Sequence, residues 1–511
     1  MSLFALGLMA ASGYGVLRIA AGWRPYRRVG VLAAAGLSPL LGAAVIGLTT
    51  TCAGVLGLPT RPWPVIAPVV LVAAVTGVTP PSLLPWRRSR PDAPPPAAAE
   101  DSRRQLPTAF ADGCVALTVA VVAAVLLVGV GHRTVCCNDE YAIWTIRART
   151  LSLAGHLDPA VFAGAQANYQ QQDYPLLQPG VIAWGDGLAG RLDDTAAHVL
   201  LAALLLGMLA FVGAALNRLA GPLSGVCGVL LICGTAGVLT PFGLLLTADI
   251  PLAAFSVAAV FALASWVVRR DRFWLVLGTV LAAGAAATKV EGALFALAAL
   301  AAAAIAAPQI PRARRDAALA VGAVLLSMVP WNVWTRAHHI RSDLINSDTL
   351  TLSHLRKVAP YAGDIARLIV RYWPGYGWLM AAAAALAALL AVAELRARRL
   401  VAFVSAAWAL GVVGMWAQYW VSAGRDTTGD AIAREADSHF ASSAPRVLIV
   451  PSLLLSLAVP LLAGALIRAG RPAQRERSAA KSDSNAQVSA SRQDGSGVSP
   501  AASQRAAEST E

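Results

Sequence analysis

Runs of roughly 18 to 25 apolar residues, rich in Ala, Leu, Val and Gly, recur along the chain, and each is long enough to cross a hydrocarbon layer as a helix. Lipid offers the backbone no hydrogen-bond partner, so such runs are satisfied only as helices. With 57% hydrophobic and 14% charged residues over 511 positions, and a mean hydropathy of +0.61, the chain cannot bury its apolar surface in a water-soluble core. The predicted fold class is an all-α polytopic membrane protein with about thirteen transmembrane helices. They are placed near 2-21, 31-57, 65-84, 108-131, 196-216, 221-240, 250-268, 273-288, 291-307, 317-335, 376-394, 401-421 and 446-468.

The formal charge of +13 comes from arginines that punctuate the apolar runs rather than forming a patch, so they read as topology signals and not as a nucleic-acid surface. Putting the clusters at Arg24/Arg27/Arg28, Arg87 to Arg104, Arg218, Arg269 to Arg272, Arg312 to Arg315, Arg396 to Arg399 and Arg471 to Arg477 on the cytoplasmic side leaves one threading. Its N-terminus is outside, its C-terminus inside, and 132-195, 336-375 and 422-445 are external. The first apolar run lacks a basic leader and reads as a retained anchor.

The predicted organisation is three N-terminal transmembrane helices (1-84), a Pro-rich cytoplasmic linker (85-106), a catalytic core (107-469) and a disordered cytoplasmic tail (470-511). Most of the six cysteines fall inside apolar runs, and none has zinc-ligand spacing. The external neighbours Cys136 and Cys137 could close only a strained ring.

The candidate chemistry gathers on the external side. Asn138 can cap a helix with Asp139 and Glu140 in its first turn, and the following Tyr141 to Leu153 suits a helix lying in the outer interface. Read locally, this is a cap plus surface charge. Asp173 and Tyr174 open the stiff segment DYPLLQP, which alone is a turn, and Asp249 before Ile250-Pro251 is explained by helix capping. Lys289 and Glu291 sit in TKVEG between two short helices; such groups line a cavity or pair with each other. Arg446, with Ser442 and Ser443, opens the last helix and can bind an anion or anchor a headgroup, and His439 lies seven residues earlier.

In their order and placement these elements resemble the GT-C superfamily of integral-membrane glycosyltransferases, in the branch with protein O-mannosyltransferases and lipid A aminoarabinose transferases. The resemblance covers about Pro107 to Arg468 and rests on the acidic pair Asp139-Glu140, DYPLLQP, TADIPLAAF, LAAGAAATKVEG and the His439…Arg446 element. The chain departs from the family in its extra N-terminal helices and in lacking a double proline in DYPLLQP. The resemblance implies inverting transfer of a sugar from a polyprenyl-phosphate donor to a glycan, lipid or protein acceptor, on the outer face of a bacterial plasma membrane. It makes Asp139 the general base and Glu140 the group that orients the acceptor. Arg446, His439 and Lys289 neutralise the departing phosphate, and Asp173, Tyr174, Asp249 and Glu291 complete the substrate site. No cofactor is implied; a divalent metal, used by members with pyrophosphate donors, is the less favoured form. The alternative is a transporter or flippase, since broken helices with intramembrane Lys289 and Glu291 also describe a coupled carrier. A polysaccharide polymerase or ligase would place its large external loop late in the chain, whereas here it is early.

Overall fold

A computed structural model of the chain describes residues 2–21, 25–62, 98–130, 133, 135, 139–163, 171–235, 245–307, 312–340, 342, 348–373, 377–393, 395–424 and 431–467. Among these residues every regular element is helical. The helices that build the body are α1 (Ser2–Ala21), α2 (Val31–Val55), α3 (Ala98–Val130), α4 (Ile146–Ala154), α5 (Leu177–Ala189), α6 (Asp194–Ala220), α7 (Ser224–Gly234), α8 (Asp249–Arg269) and α9 (Arg272–Ala286). They continue as α10 (Val290–Ala306), α11 (Ala313–Ala337), α12 (Leu352–Val358), α13 (Ala362–Arg371), α14 (Gly377–Ala393), α15 (Leu395–Ser422), α16 (Ala431–Val447) and α17 (Ile449–Ile467).

Among the described residues eight helices, α1, α2, α3, α6, α8, α11, α15 and α17, are long and apolar enough to cross a membrane. Burial sorts them. In α8 every residue from Asp249 to Val267 is buried, so it is the axis of the bundle, and α6 is nearly as enclosed. By contrast α3 carries Phe110, Leu117, Val121, Val125 and Val128 on its outer face, and α11 carries Leu319, Leu326 and Val333. Such stripes suit lipid, which is as apolar as they are.

Several expected boundaries move. The expected helix at 65-84 and the tail at 470-511 lie outside the described residues, as do Cys136 and Cys137. Helix α3 begins at Ala98, within the stretch read as linker. Among the described residues the run 221-240 holds the 11-residue α7, and the segments 336-375 and 422-445, expected to be external, hold α12, α13 and most of α16. The N-terminal α2 packs on α1, α5 and α6. Glycine makes this possible: a Cβ on Gly36 would lie 2.5 Å from the Gly207 carbonyl oxygen, and one on Gly207 would lie 2.6 Å from that of Gly36. Backbones this close gain packing that larger residues forbid.

The two ends of the bundle differ in charge. At one end Arg28 pairs with Asp271, Arg218 with Asp112 at 2.9 Å, and Arg272 with Asp316 at 3.0 Å. Asp249 opens α8 and Arg269 closes it, so Asp249 belongs to the other end, about 30 Å away at 1.5 Å per residue. Helices α9 and α10, of 15 and 17 residues, span only about 22 and 25 Å. Their connecting turn therefore falls short of a roughly 30 Å hydrocarbon layer.

At that same end the α5–α6 turn is held by acids. Asp186 accepts the Asp193 amide at 2.8 Å, Asp193 caps α6 through Ala196, and Arg149 pairs with Asp194 at 2.9 Å. Burial pushes the Asp186 carboxyl up to about 6, with Asp194 adding to the shift and the Asp193 amide opposing it.

Two outcomes follow from these contacts. Gly36→Val should destabilise the bundle by about 1–3 kcal/mol through overpacking against α6, seen as a lower Tm in detergent. The folded Asp186 binds its proton more tightly than an unfolded aspartate of pKa about 3.9, so its contribution to stability grows as pH falls through 6 and levels off below 4. Asp186→Asn should remove that part of the rise in Tm between pH 7 and 5.

Candidate active site

Asp139 begins the helical segment after α3. Its first turn, Glu140–Thr145, is π-helical and runs into α4. Such widened turns are rare and frequent at functional sites. The expected cap Asn138 lies outside the described residues, and Asp139 itself has helical backbone and caps nothing. Trp144 is buried and stacks on Tyr174 at 5.4 Å. Arg147 is buried too, donating to the Tyr174 carbonyl at 2.7 Å and standing over the Trp331 ring. The carbonyl and ring faces supply what a solvated guanidinium would take from water.

Five ionic groups then form a chain of alternating sign. Glu291 Oε1 lies 3.3 Å from Lys289 Nζ, which donates to Asp249 Oδ1 at 3.1 Å. Asp249 Oδ2 accepts from Arg446 Nε at 2.7 Å, and Arg446 Nη1 donates to Asp139 Oδ2. Asp249 is the first residue of α8 rather than its cap, which is Ala248, so its role is ionic and not the capping expected from local rules. The mutual pairing of Lys289 and Glu291 exists but is only one link of the chain.

Exposure separates three enclosed members from two toward the rim. The side chains of Asp249, Lys289 and Glu291 are 1%, 7% and 7% exposed, Arg446 is 20% and Asp139 is 35%. The inner members are thus fixed and Asp139 forms the rim. Burial weighs against the charge on Arg446, but Asp249 and Asp139 outweigh it and hold the guanidinium pKa above its ordinary value. Lys289 also stands 5.7 Å from the centre of the Tyr174 ring. Burial, helped by the Glu291 carboxylate, pushes the Tyr174 phenol well above its ordinary pKa, so it stays neutral.

Glu140 points elsewhere. Fully buried, it accepts the Leu246 amide at 2.8 Å and lies 3.4 Å from His198 Nε2, while Gln178 Nε2 donates to the Leu246 carbonyl at 2.7 Å. The Leu246 peptide, three residues before Asp249, is clamped on both sides. Asp173 gives its carbonyl to Trp331 Nε1 at 2.7 Å and lines, with Thr51, Pro175, Ala287, Val290 and Asn332, a cleft of about 170 Å³ beside Tyr174. His439 lies on α16 two turns before Arg446, and its side chain, like those of Ser442 and Ser443, is outside the described residues.

The structure therefore brings Asp139, Asp249, Lys289, Glu291 and Arg446 together, with Tyr174 against them. Glu140 and Asp173 flank this group. Sequence reasoning missed His198 and the clamping role of Gln178; a lone histidine in the apolar α6 and a glutamine in the apolar α5 were the available signals. The chain matches no protein-family model, no curated protein and no solved structure.

Removing a buried hub leaves its partners uncompensated. Asp249→Ala should cost about 3–5 kcal/mol and lower both Tm and folded yield, whereas Asp139→Asn at the rim should leave Tm within a few degrees of the parent. Thermal unfolding of both variants in one detergent checks the contrast.

Proposed function

We propose that the chain is a membrane glycosyltransferase of GT-C type, moving a sugar from a polyprenyl-phosphate donor to an acceptor hydroxyl with inversion at the anomeric carbon. One observation carries the reading. Asp139 and Arg446, 307 positions apart, are hydrogen-bonded partners at one end of the bundle, on a base formed by Asp249 and Lys289. A carboxylate at a rim beside two fixed cations is the equipment for deprotonating a hydroxyl while a phosphate departs.

In this reaction the acceptor hydroxyl passes its proton to Asp139, its oxygen bonds to the anomeric carbon, and the bond from that carbon to the phosphate oxygen breaks. The phosphate leaves with the electron pair onto Arg446, with Lys289 and His439 adding positive charge. Tyr174, neutral and packed against Trp144 and Lys289, backs the ionic chain. Glu140, with both carboxylate oxygens buried, serves by holding Leu246 and hence Asp249; the expected orienting role toward the acceptor passes to rim groups. The arginine-rich end is then cytoplasmic and the Asp139 end extracytoplasmic, as the positive-inside rule requires. A carrier would gather its polar groups near the midplane, and here they gather at one end.

Asp139→Asn should lower transfer from radiolabelled polyprenyl-phosphate sugars by about 10²–10⁴-fold, the contribution of a general base. Near-parental transfer by a folded Asp139→Asn protein would remove the base from this mechanism.

A further inference from the structure

The ionic chain contains three carboxylates and two cations, a formal surplus of one negative charge. A site in that state repels a phosphate. The geometry of Arg446 states the conflict at the level of atoms. A guanidinium grips a phosphate through an edge of two N–H groups. One edge of Arg446 is taken at Nε by Asp249, and the other at Nη1 by Asp139.

These two carboxylates are not equally able to yield. Asp249 is 1% exposed and is also bound to Lys289, so leaving Arg446 would strand a buried charge. Asp139 is 35% exposed, and water can take over its hydrogen bonds. Among the described residues no second partner holds it.

We propose that Asp139 is a placeholder on Arg446, and that a phosphate oxyanion borne by the ligand displaces it. The displacement opens the Nη1–Nη2 edge for two hydrogen bonds to phosphate and frees the Asp139 carboxylate from its cation. This rests on the glycosyltransferase reading for its consequence: a carboxylate tied to Arg446 is a poor base, and donor binding converts it into a competent one. Donor then binds before acceptor chemistry can begin, which keeps the base silent in the empty enzyme.

The test is direct binding of farnesyl phosphate and of inorganic phosphate to the full chain in nanodiscs of neutral lipid, for the parent, Asp139→Asn, Asp139→Ser and Arg446→Gln, with thermal unfolding as the check on folding. The placeholder role expects both Asp139 variants to bind farnesyl phosphate about tenfold tighter than the parent, because the anion no longer breaks a charge-assisted hydrogen bond. Tightening with inorganic phosphate as well makes the headgroup the recognised part; tightening with farnesyl phosphate alone makes the lipid chain necessary. Unchanged or weaker binding in both Asp139 variants, with binding lost in Arg446→Gln, overturns the displacement while leaving the phosphate site standing. Absence of binding by parent and Asp139 variants alike overturns the phosphate site itself, and with it the proposed reaction.

Discussion

A single buried carboxylate sets the geometry of the molecule's functional end. Asp249 opens the helix at the axis of the bundle, where an unpaired ion would cost several kcal/mol. It is tolerated because Lys289, 40 positions away, and Arg446, 197 positions away, each give it a hydrogen bond. That requirement forces three pieces of chain to one point: the start of α8, the α9–α10 turn and the end of α16. It also explains why that turn is so tight. Gly292 packs where a Cβ would lie 1.9 Å from the Ala285 carbonyl oxygen, so α9 and α10 close directly behind Lys289.

Around this hub the remaining polar groups divide by what holds them. The Leu246 peptide, gripped by Glu140 on its amide and by Gln178 on its carbonyl, fixes the approach to Asp249 from the other side. Arg147 does the same for Tyr174 through that residue's carbonyl. These groups buy position rather than chemistry. Among the described residues Asp139 has one cationic partner and it is the most exposed of the five, so it is the member of the chain placed to change partners.

The helical class was legible because apolar runs in lipid have one backbone solution, and the candidate ions were legible because charge stands out in apolar sequence. Beyond the Lys289–Glu291 pair, their meeting was not. Asp249 and Arg446 each satisfy a local rule, as a cap and as an anchor, and nothing short-range says that they meet. The partners of Arg147 were hidden for a related reason. A helix with alternating arginines and aromatics looks the same whether its arginine meets headgroups or, as here, a buried carbonyl and a ring. The Gly36–Gly207 contact was hidden among 43 glycines, since a glycine needed for close approach carries no mark that separates it from one that is not.

The same cations serve folding and, in the proposed reaction, the leaving group, and this shapes what any substitution can say. Loss of Arg446 or Lys289 strips a partner from Asp249, so a lost activity would mix an unstable helix start with a missing phosphate cradle. Asp139 sits outside that coupling. Its removal leaves Asp249 with both cations and lowers the negative surplus of the site. The rim carboxylate, the member least important to the fold, is therefore the one whose behaviour discriminates between an ion network that merely closes the end of a bundle and one that waits for an anion.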